Sequence, residues 1–160
     1  KHGISAAKID LFDNKNIILT PNEETSNEKI RELTEFWESL GGVVTKMQAE
    51  NHDKIFSTVS HLPHLIAFAL VNLINDKKDK ETLLNFAASG FRDFSRIAAS
   101  SPEVWKDISI QNQNSILNDL KLFKKEITKL SEFIEAKDQK ELEKYLKKAS
   151  TTRKNWLEDS

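Results

Sequence analysis

Residues 53–75 read DKIFSTVSHLPHLIAFALVNLIN. Apolar side chains recur at helical spacing in the first half, and the run from Leu65 to Val71 is apolar on every side. This pattern predicts a helix over 53–75, kinked where Pro63 removes a backbone hydrogen bond. A helix without a polar face must be buried all round, which a small domain achieves poorly alone. We therefore expect a second subunit to complete its burial.

The chain beyond this stretch is also predicted to be helical. A helical region over 83–99 is expected to break near Ser89-Gly90, and Ser101-Pro102 suits the start of a third, long helix. A fourth helix is expected from Asp138 to about Trp156. The third helix carries an apolar seam at 4-3-4-3-4 spacing, formed by Ile116, Leu120, Phe123, Ile127, Leu130 and Ile134. Its partner is either the fourth helix folded back or a second copy of the chain.

The first part of the chain has a different pattern. Residues 17–20 form a short β-branched run stopped by Pro21, and residues 43–47 read as a second strand. Between them Thr25 and Glu28 match a capping box, and Gly41 follows the last apolar position of a helix. Strand, helix and strand make one βαβ unit. Two parallel strands do not form a stable sheet alone, so the unit needs neighbours outside this stretch.

Composition excludes several classes of protein. The chain has 160 residues, a net charge of −1, four glycines and no cysteine. The glycines fit neither the G-x-G-x-x-G nor the G-x-x-x-x-G-K-[ST] spacing of nucleotide-binding loops. Because the chain has no cysteine, cysteine-ligated metal sites are ruled out. A near-neutral charge argues against nucleic-acid binding, and the longest apolar run is too short to span a membrane. No signal peptide opens the chain, so a cytoplasmic location is favoured. The first residue is Lys1, which suits a piece of a longer protein.

The stretch Ser60-His61-Leu62-Pro63-His64 is the first candidate site. On a helix His61 and His64 share a face, with Ser57 and Ser60 one turn back on the same stripe. This favours a polar pocket inside an apolar body. The simpler interpretation is a pair of hydrogen-bonded core histidines. A zinc site would need a third ligand of suitable type, and the sequence shows no H-E-x-x-H motif.

The stretch from Phe91 to Ala98 is the second candidate site. Arg92 and Arg96 lie one turn apart, with Asp93 between them. A guanidinium beside an apolar wall suits bidentate binding of a carboxylate. The alternative is an ordinary ion pair between Asp93 and Arg96 at i,i+3 spacing. His52-Asp53 is a weaker feature that equally suits the start of a helix.

Several strings, taken together and in this order, resemble the prephenate dehydrogenase family, which includes arogenate and cyclohexadienyl dehydrogenases. They are Leu19-Thr20-Pro21, Trp37 with Gly41-Gly42, His52-Asp53, S-H-L-P-H at 60–64, F-R-D-F-S-R-I-A at 91–98 and S-P-E-V-W at 101–105. The resemblance covers essentially the whole chain. From the residues alone, a non-enzymatic all-α dimerising interaction module stays the alternative.

The resemblance implies a mainly α fold: a helical dimerisation domain preceded by a βαβ remnant of a Rossmann-like domain. Residues 1–49 would be the tail of the nucleotide domain, and residues 50–160 the helical domain. The intact enzyme would use NAD or NADP to convert prephenate to 4-hydroxyphenylpyruvate. The family's glycine-rich turn and catalytic histidine segment do not occur in this sequence. The chain alone is therefore expected to bind no cofactor and to be inactive.

The resemblance also implies roles for individual residues. Arg96 matches the arginine that binds a substrate carboxylate, and His61 and His64 match histidines of the substrate pocket. Ser60 and Trp105 match positions that line the pocket. Asp93 matches a charge network at the site entrance. The implied partners are a small substrate, prephenate or arogenate, and a second copy of the chain, with no metal, nucleic acid or membrane.

Overall fold

The structure, a computed structural model, describes residue 8 and residues 10–158. Two strands, β1 (Asn16–Leu19) and β2 (Val43–Lys46), pair in parallel, and α1 (Asn27–Ser39) connects them. In this register Ile17 lies opposite Val44. The predicted βαβ unit is therefore confirmed. Part of the predicted nucleotide-domain tail, residues 1–7 and residue 9, lies outside the described residues.

The two ends of α1 show how its sequence limits the helix. The N-cap is Ser26, whose hydroxyl accepts a hydrogen bond from the Lys29 N–H at 3.3 Å. The predicted cap at Thr25 is wrong, because that hydroxyl donates to the Asn22 side chain at 2.6 Å instead. At the other end Gly41 has φ +84°, and a Cβ there would lie 2.6 Å from a carboxylate oxygen of Asp13. Glycine is thus required at this turn.

The helix predicted over 53–75 begins earlier, at Ala49. It consists of α2 (Ala49–Phe56), a π-helical turn (Ser57–His61) and α3 (Leu62–Asn75). The expected kink at Pro63 takes the form of this wider turn, which comes just before the proline. A proline ring displaces the carbonyl four residues back, and a π turn gives that carbonyl room.

Five further helices and a 3₁₀ turn complete the described chain. The short elements are α4 (Lys80–Asn85), α5 (Ser89–Ser95) and the 3₁₀ turn (Arg96–Ala99), so the predicted break near Ser89-Gly90 lies slightly earlier, at 86–88. The predicted single helix from Pro102 to Ile134 is wrong. It is divided at Asn112 into α6 (Pro102–Gln111) and α7 (Gln113–Glu135), and α8 (Gln139–Glu158) follows.

The last two helices form a hairpin. Lys137 adopts a left-handed conformation with φ 52°, and the Asp138 side chain caps α8 by accepting from the Glu141 N–H at 3.1 Å. Phe133 and Tyr145 then meet edge to face, 6.0 Å apart. Of the two partners considered for the seam, the structure supplies the folded-back helix. That helix covers the seam incompletely, since Ile134 stays 58% exposed.

The single chain has a small core. Among the described residues the buried hydrophobic side chains are Ala67 and Ile116, whereas Val59 and Leu73 on the apolar helix are mostly exposed. The accessible surface is 13243 Å². A compact folded chain of 18.3 kDa exposes about 8,100 Å². The helix expected to be buried on every side is therefore only partly covered in one chain, and its full burial by a second copy stays a prediction.

The same helix has a further property. Within the described residues, Ala49–Asn75 is one helical stretch long and apolar enough, by length and composition alone, to cross a membrane. The sequence expectation of no membrane segment considered only the shorter run from Leu65 to Val71. Interior helices of soluble proteins meet the same criterion, so this property is weak support for a membrane span.

Candidate functional site

Two imidazoles and an indole form the centre of the candidate site. His64, in the first turn of α3, stacks on Trp105 of α6, with ring centroids 3.9 Å apart and planes 18° from parallel. His61, the last residue of the π turn, meets the same indole edge to face at 6.1 Å. The structure thus brings together three of the residues singled out in the sequence. We call these three side chains the His–Trp cluster.

The hydrogen bond of His64 fixes the state of one ring nitrogen. Its Nδ1 lies 2.9 Å from the Ser60 carbonyl oxygen, which can only accept. Nδ1 therefore carries hydrogen and donates, and Nε2 is the atom left for a ligand. Ser60 takes part here through its backbone carbonyl.

His61 is held by a residue that the sequence reasoning missed. The Asn112 side-chain nitrogen lies 3.2 Å from His61 Nδ1 and 2.7 Å from the Asp53 carbonyl oxygen. Asn112 is 8% exposed and occupies the break between α6 and α7. The sequence signal that could have indicated this break is the polar run from Gln111 to Ser115, which interrupts an otherwise amphipathic helical pattern.

Burial sets the charge of His61. Desolvation lowers the pKa of its imidazole below the usual 6.5, and the neighbouring His52 and His64 act in the same direction, against the opposing effect of Asp53. At pH 7 the ring is therefore mainly neutral. A neutral imidazole offers one donor and one acceptor, so its tautomer decides what it can bind.

Ser57, at the start of the π turn, is bound to α7. It is fully buried, and its hydroxyl donates to the Asp119 carboxylate of α7 at 2.6 Å. The same oxygen accepts from the Thr58 hydroxyl at 2.8 Å. The expected polar role of Ser57 in a pocket is not seen, because its hydroxyl is taken up by Asp119 of α7. Ser57, Thr58 and Asp119 instead join the π turn to α7, and we call them the hydroxyl clamp.

The predicted charged residues lie on a neighbouring element. Asp93 is in α5, and Arg96 begins the 3₁₀ turn, which packs against α3, the helix that carries His64. Both side chains are exposed. Across residues 10–158 neither forms an ion pair with the other or with a third group, so the alternative of an i,i+3 salt bridge is not seen.

The structure also shows where the weaker candidate pair, His52 and Asp53, lies. His52 Nδ1 lies 3.0 Å from the Asp53 carboxylate, and its ring stacks on Phe56 at 4.5 Å. This pair lies inside α2, which starts before it. As for metal, the described residues contain no group of three or more His, Cys, Asp or Glu side chains placed to hold an ion.

The architecture is that of an α/β protein in which a parallel βαβ unit is followed directly by a helical domain. Each of these two parts of the chain matches a known protein family. Residues 1–46 match the nucleotide-binding domain of prephenate dehydrogenase, and residues 48–148 match its dimerization domain. The chain belongs to the prephenate dehydrogenase family. The resemblance noted in the sequence and the expected fold class are both confirmed.

Curated relatives agree with this assignment. The chain is 36% identical to a prephenate dehydrogenase of Bacillus subtilis over 154 residues, covering 96% of this chain and 42% of that protein. It is 34% identical to a cyclohexadienyl dehydrogenase of Zymomonas mobilis, covering 95% of this chain and 53% of the relative. The chain spans about half the length of the curated relatives it matches.

Solved structures share the fold. Prephenate dehydrogenase from Aquifex aeolicus, in complex with hydroxyphenyl propionate and NAD⁺, matches with a TM-score of 0.89 and 37% identity. That match covers 97% of this chain and 55% of the other. Arogenate dehydrogenase from Synechocystis matches with a TM-score of 0.83 and 30% identity, over 96% of this chain and 56% of the other.

Proposed function

We propose that this chain supplies the substrate-binding and dimerising part of a prephenate or arogenate dehydrogenase. The observation that carries the proposal is the His–Trp cluster, in which His64 belongs to α3, the helix against which the 3₁₀ turn that begins with Arg96 packs. Residues 1–49 are assigned to the nucleotide domain and residues 50–160 to the helical domain. The family matches, which divide between residues 46 and 48, support that assignment.

The proposed reaction is an oxidative decarboxylation of prephenate. In the intact enzyme NAD or NADP would supply the acceptor for the hydride that leaves the ring carbon bearing the hydroxyl. The ring carboxylate leaves as carbon dioxide, and its bonding electrons make the ring aromatic, giving 4-hydroxyphenylpyruvate. The four glycines do not form a pyrophosphate-binding turn, so we assign no cofactor-binding or catalytic residue to this chain.

The chain's own residues would hold the substrate. Prephenate carries two carboxylates, and Arg96 has no carboxylate partner among the described residues, so its guanidinium is available for a bidentate contact. His64 would offer Nε2 to the substrate, and Trp105 would supply an apolar wall. Ser60 would line the pocket beside them. Asp93, exposed one turn before Arg96, would belong to the charge network at the entrance.

Ligand binding tests the substrate role without a cofactor. The purified chain should bind hydroxyphenyl propionate, the ligand seen in the Aquifex aeolicus complex, in a calorimetric titration. Arg96→Ala should weaken that binding at least about tenfold, the effect of losing one charge-assisted contact. Arg92→Ala, one turn earlier on α5, is the matched control and should bind like the parent chain. Equal affinities for both variants would contradict the role of Arg96.

A turnover assay tests whether this chain binds substrate but lacks the parts needed for catalysis. The chain mixed with prephenate and NAD should produce no reduced nicotinamide, since neither the cofactor turn nor the catalytic histidine segment is in this sequence. A sustained rise in the absorbance of reduced nicotinamide would refute the prediction that the chain is inactive alone. Absence of both turnover and ligand binding, in a folded dimer, would favour a non-enzymatic interaction module.

We also propose that the helical domain forms a homodimer. The support is the apolar surface left open on α3 and the seam, in a chain that exposes about 5,000 Å² more than a compact one. Sedimentation at micromolar concentration should give a dimer. Leu73→Lys places a charge on that surface and should shift the protein toward monomer, whereas Asn72→Lys, the adjacent exposed position, should not. A monomeric parent chain would overturn the proposal.

Solubility follows from the same proposal, and the expected cytoplasmic location is kept as part of it. If a second copy covers the helix Ala49–Asn75, this helix has no apolar surface left for lipid. The expressed chain should stay in the supernatant after high-speed centrifugation without detergent. Recovery only with detergent would instead support the membrane interpretation of that helix.

A further inference from the structure

The side-chain nitrogen of Asn112 faces two hydrogen-bonding partners, and only one orientation of the amide satisfies both. This nitrogen is 2.7 Å from the Asp53 carbonyl oxygen, which has no hydrogen to give. If the amide were reversed, two oxygens would face each other at that distance. The nitrogen must therefore point at Asp53, and this orientation aims its second hydrogen at His61 Nδ1, 3.2 Å away.

The consequence for His61 follows from the inventory of donors. A nitrogen that faces an N–H must offer a lone pair, so His61 Nδ1 accepts, and the ring hydrogen of the neutral form is on Nε2. Nδ1 of His64 is the opposite case, because it donates to the Ser60 carbonyl. The two neighbouring imidazoles thus use Nδ1 in opposite ways, as an acceptor in His61 and as a donor in His64.

We propose that Asn112 is a positioning residue that locks His61 as the Nε2–H tautomer. Resting on the proposed function, this assigns the pair a division of roles at neutral pH. His61 presents an N–H donor to an oxygen of the substrate, whereas His64 commits its Nδ1 hydrogen to Ser60 and turns Nε2 to the substrate. An Asn112 that serves only to end α6 would leave the His61 tautomer free.

The surroundings of His61 are consistent with a neutral donor. Protonation would place a hydrogen on Nδ1, directly against the Asn112 N–H. The facing titratable groups are His52 and Asp53 from α2 and His64 from α3, and the α6 neighbour is the uncharged Trp105. Of these, Asp53 alone favours a charged ring.

Nuclear magnetic resonance of the ring nitrogens tests the proposal without any substrate. In the chain labelled with ¹⁵N-histidine, a long-range ¹H–¹⁵N spectrum distinguishes protonated from unprotonated ring nitrogens, and His61→Gln assigns the signals. At pH 7.5 the parent chain should show His61 with an unprotonated Nδ1 and a protonated Nε2. A protonated Nδ1 on neutral His61 would overturn the proposal outright.

Two variants test whether Asn112 is the cause. Asn112→Asp replaces the donor with an acceptor, so His61 should gain a proton at Nδ1 and its pKa should shift upward. Asn112→Ala removes the donor and should give mixed tautomers. Asn114→Ala, an exposed amide two residues on, is the control and should leave the spectrum of His61 unchanged. Folded Asn112 variants with the parent tautomer would contradict the assignment.

The binding experiment then separates this proposal from the proposed function. Asn112→Asp should alter the pH dependence of hydroxyphenyl propionate affinity, with the affinity change following the titration of His61. A chain with the expected tautomers that binds no aromatic carboxylate would refute the proposed function and leave the role of Asn112 intact. If an Asn112 variant does not fold, the tautomer of the parent chain still decides the question.

Discussion

Removing the Asp119 carboxylate should destabilise the protein through one buried hydroxyl. The carboxylate accepts from Ser57 at 2.6 Å and from Thr58 at 2.8 Å, and so joins the π turn to α7. In Asp119→Ala, water can replace the partner of Thr58, which is exposed. The Ser57 hydroxyl is completely buried and would lose its acceptor.

The magnitude follows from this difference in exposure. An unsatisfied buried hydroxyl costs about 1–3 kcal/mol, and a hydrogen bond at an exposed site contributes less than about 1 kcal/mol. We therefore expect Asp119→Ala to lower the free energy of unfolding by about 2 kcal/mol. Ser57→Ala removes the hydroxyl together with its need for a partner, and should cost only about 1 kcal/mol. Asp119→Asn keeps an acceptor oxygen and should cost least.

Thermal and urea unfolding measure these differences at one fixed chain concentration, because self-association makes stability depend on concentration. For a chain of this length about 2 kcal/mol corresponds to roughly 4–8 °C in Tm. Thr58→Val, which removes the exposed hydroxyl of the same clamp, is the control and should change stability by less than about 0.5 kcal/mol. If Asp119→Ala costs no more than Thr58→Val, the buried hydroxyl is not the origin of the effect.

Two further expectations concern pH and the turn after α1. Folding lowers the pKa of His61 below 6.5, so the unfolded chain binds the additional proton first as pH falls. The free energy of unfolding should therefore decrease as pH drops below 6.5 toward the lowered pKa, and His61→Gln should flatten this dependence in urea titrations at a series of pH values. Gly41→Ala should lower stability by about 1–2 kcal/mol in calorimetry, because φ is +84° and the new Cβ would meet Asp13. Gly90→Ala, with nothing within 4 Å of the new Cβ, should be neutral or slightly stabilising, and an equal loss in both variants would contradict the strain argument.

Local sequence rules were sufficient for the elements whose ends are set by near neighbours. The βαβ unit follows from two β-branched runs, and Gly41 ends α1 because a left-handed turn must follow there. Thr25 and Ser26 are both good cap residues, and the choice between them depends on Asn22, which takes the Thr25 hydroxyl. Such a competition between adjacent polar side chains cannot be read from spacing alone.

The parts that sequence reasoning missed depend on contacts between distant residues. The break between α6 and α7 occurs where Asn112 turns inward to reach Asp53 and His61. Ser57 shares helical spacing with His61, but its hydroxyl binds Asp119 of α7, while a π turn connects the two residues. A pattern with a period of 3.6 residues assumes an unbroken α-helix, so it fails at the turn that shapes the site.

The join between β2 and α2 has a mechanical consequence. Met47 and Gln48 are the whole connection, and both are tied down: Met47 N–H donates to the Leu19 carbonyl, and the Gln48 carbonyl accepts from His52 N–H, each at 3.0 Å. The sheet and the helix that follows are thus joined by a short connection whose two residues are both hydrogen-bonded. A rotation of the sheet would therefore turn α2 with it, and α2, about 12 Å long, continues directly into the π turn that ends in His61.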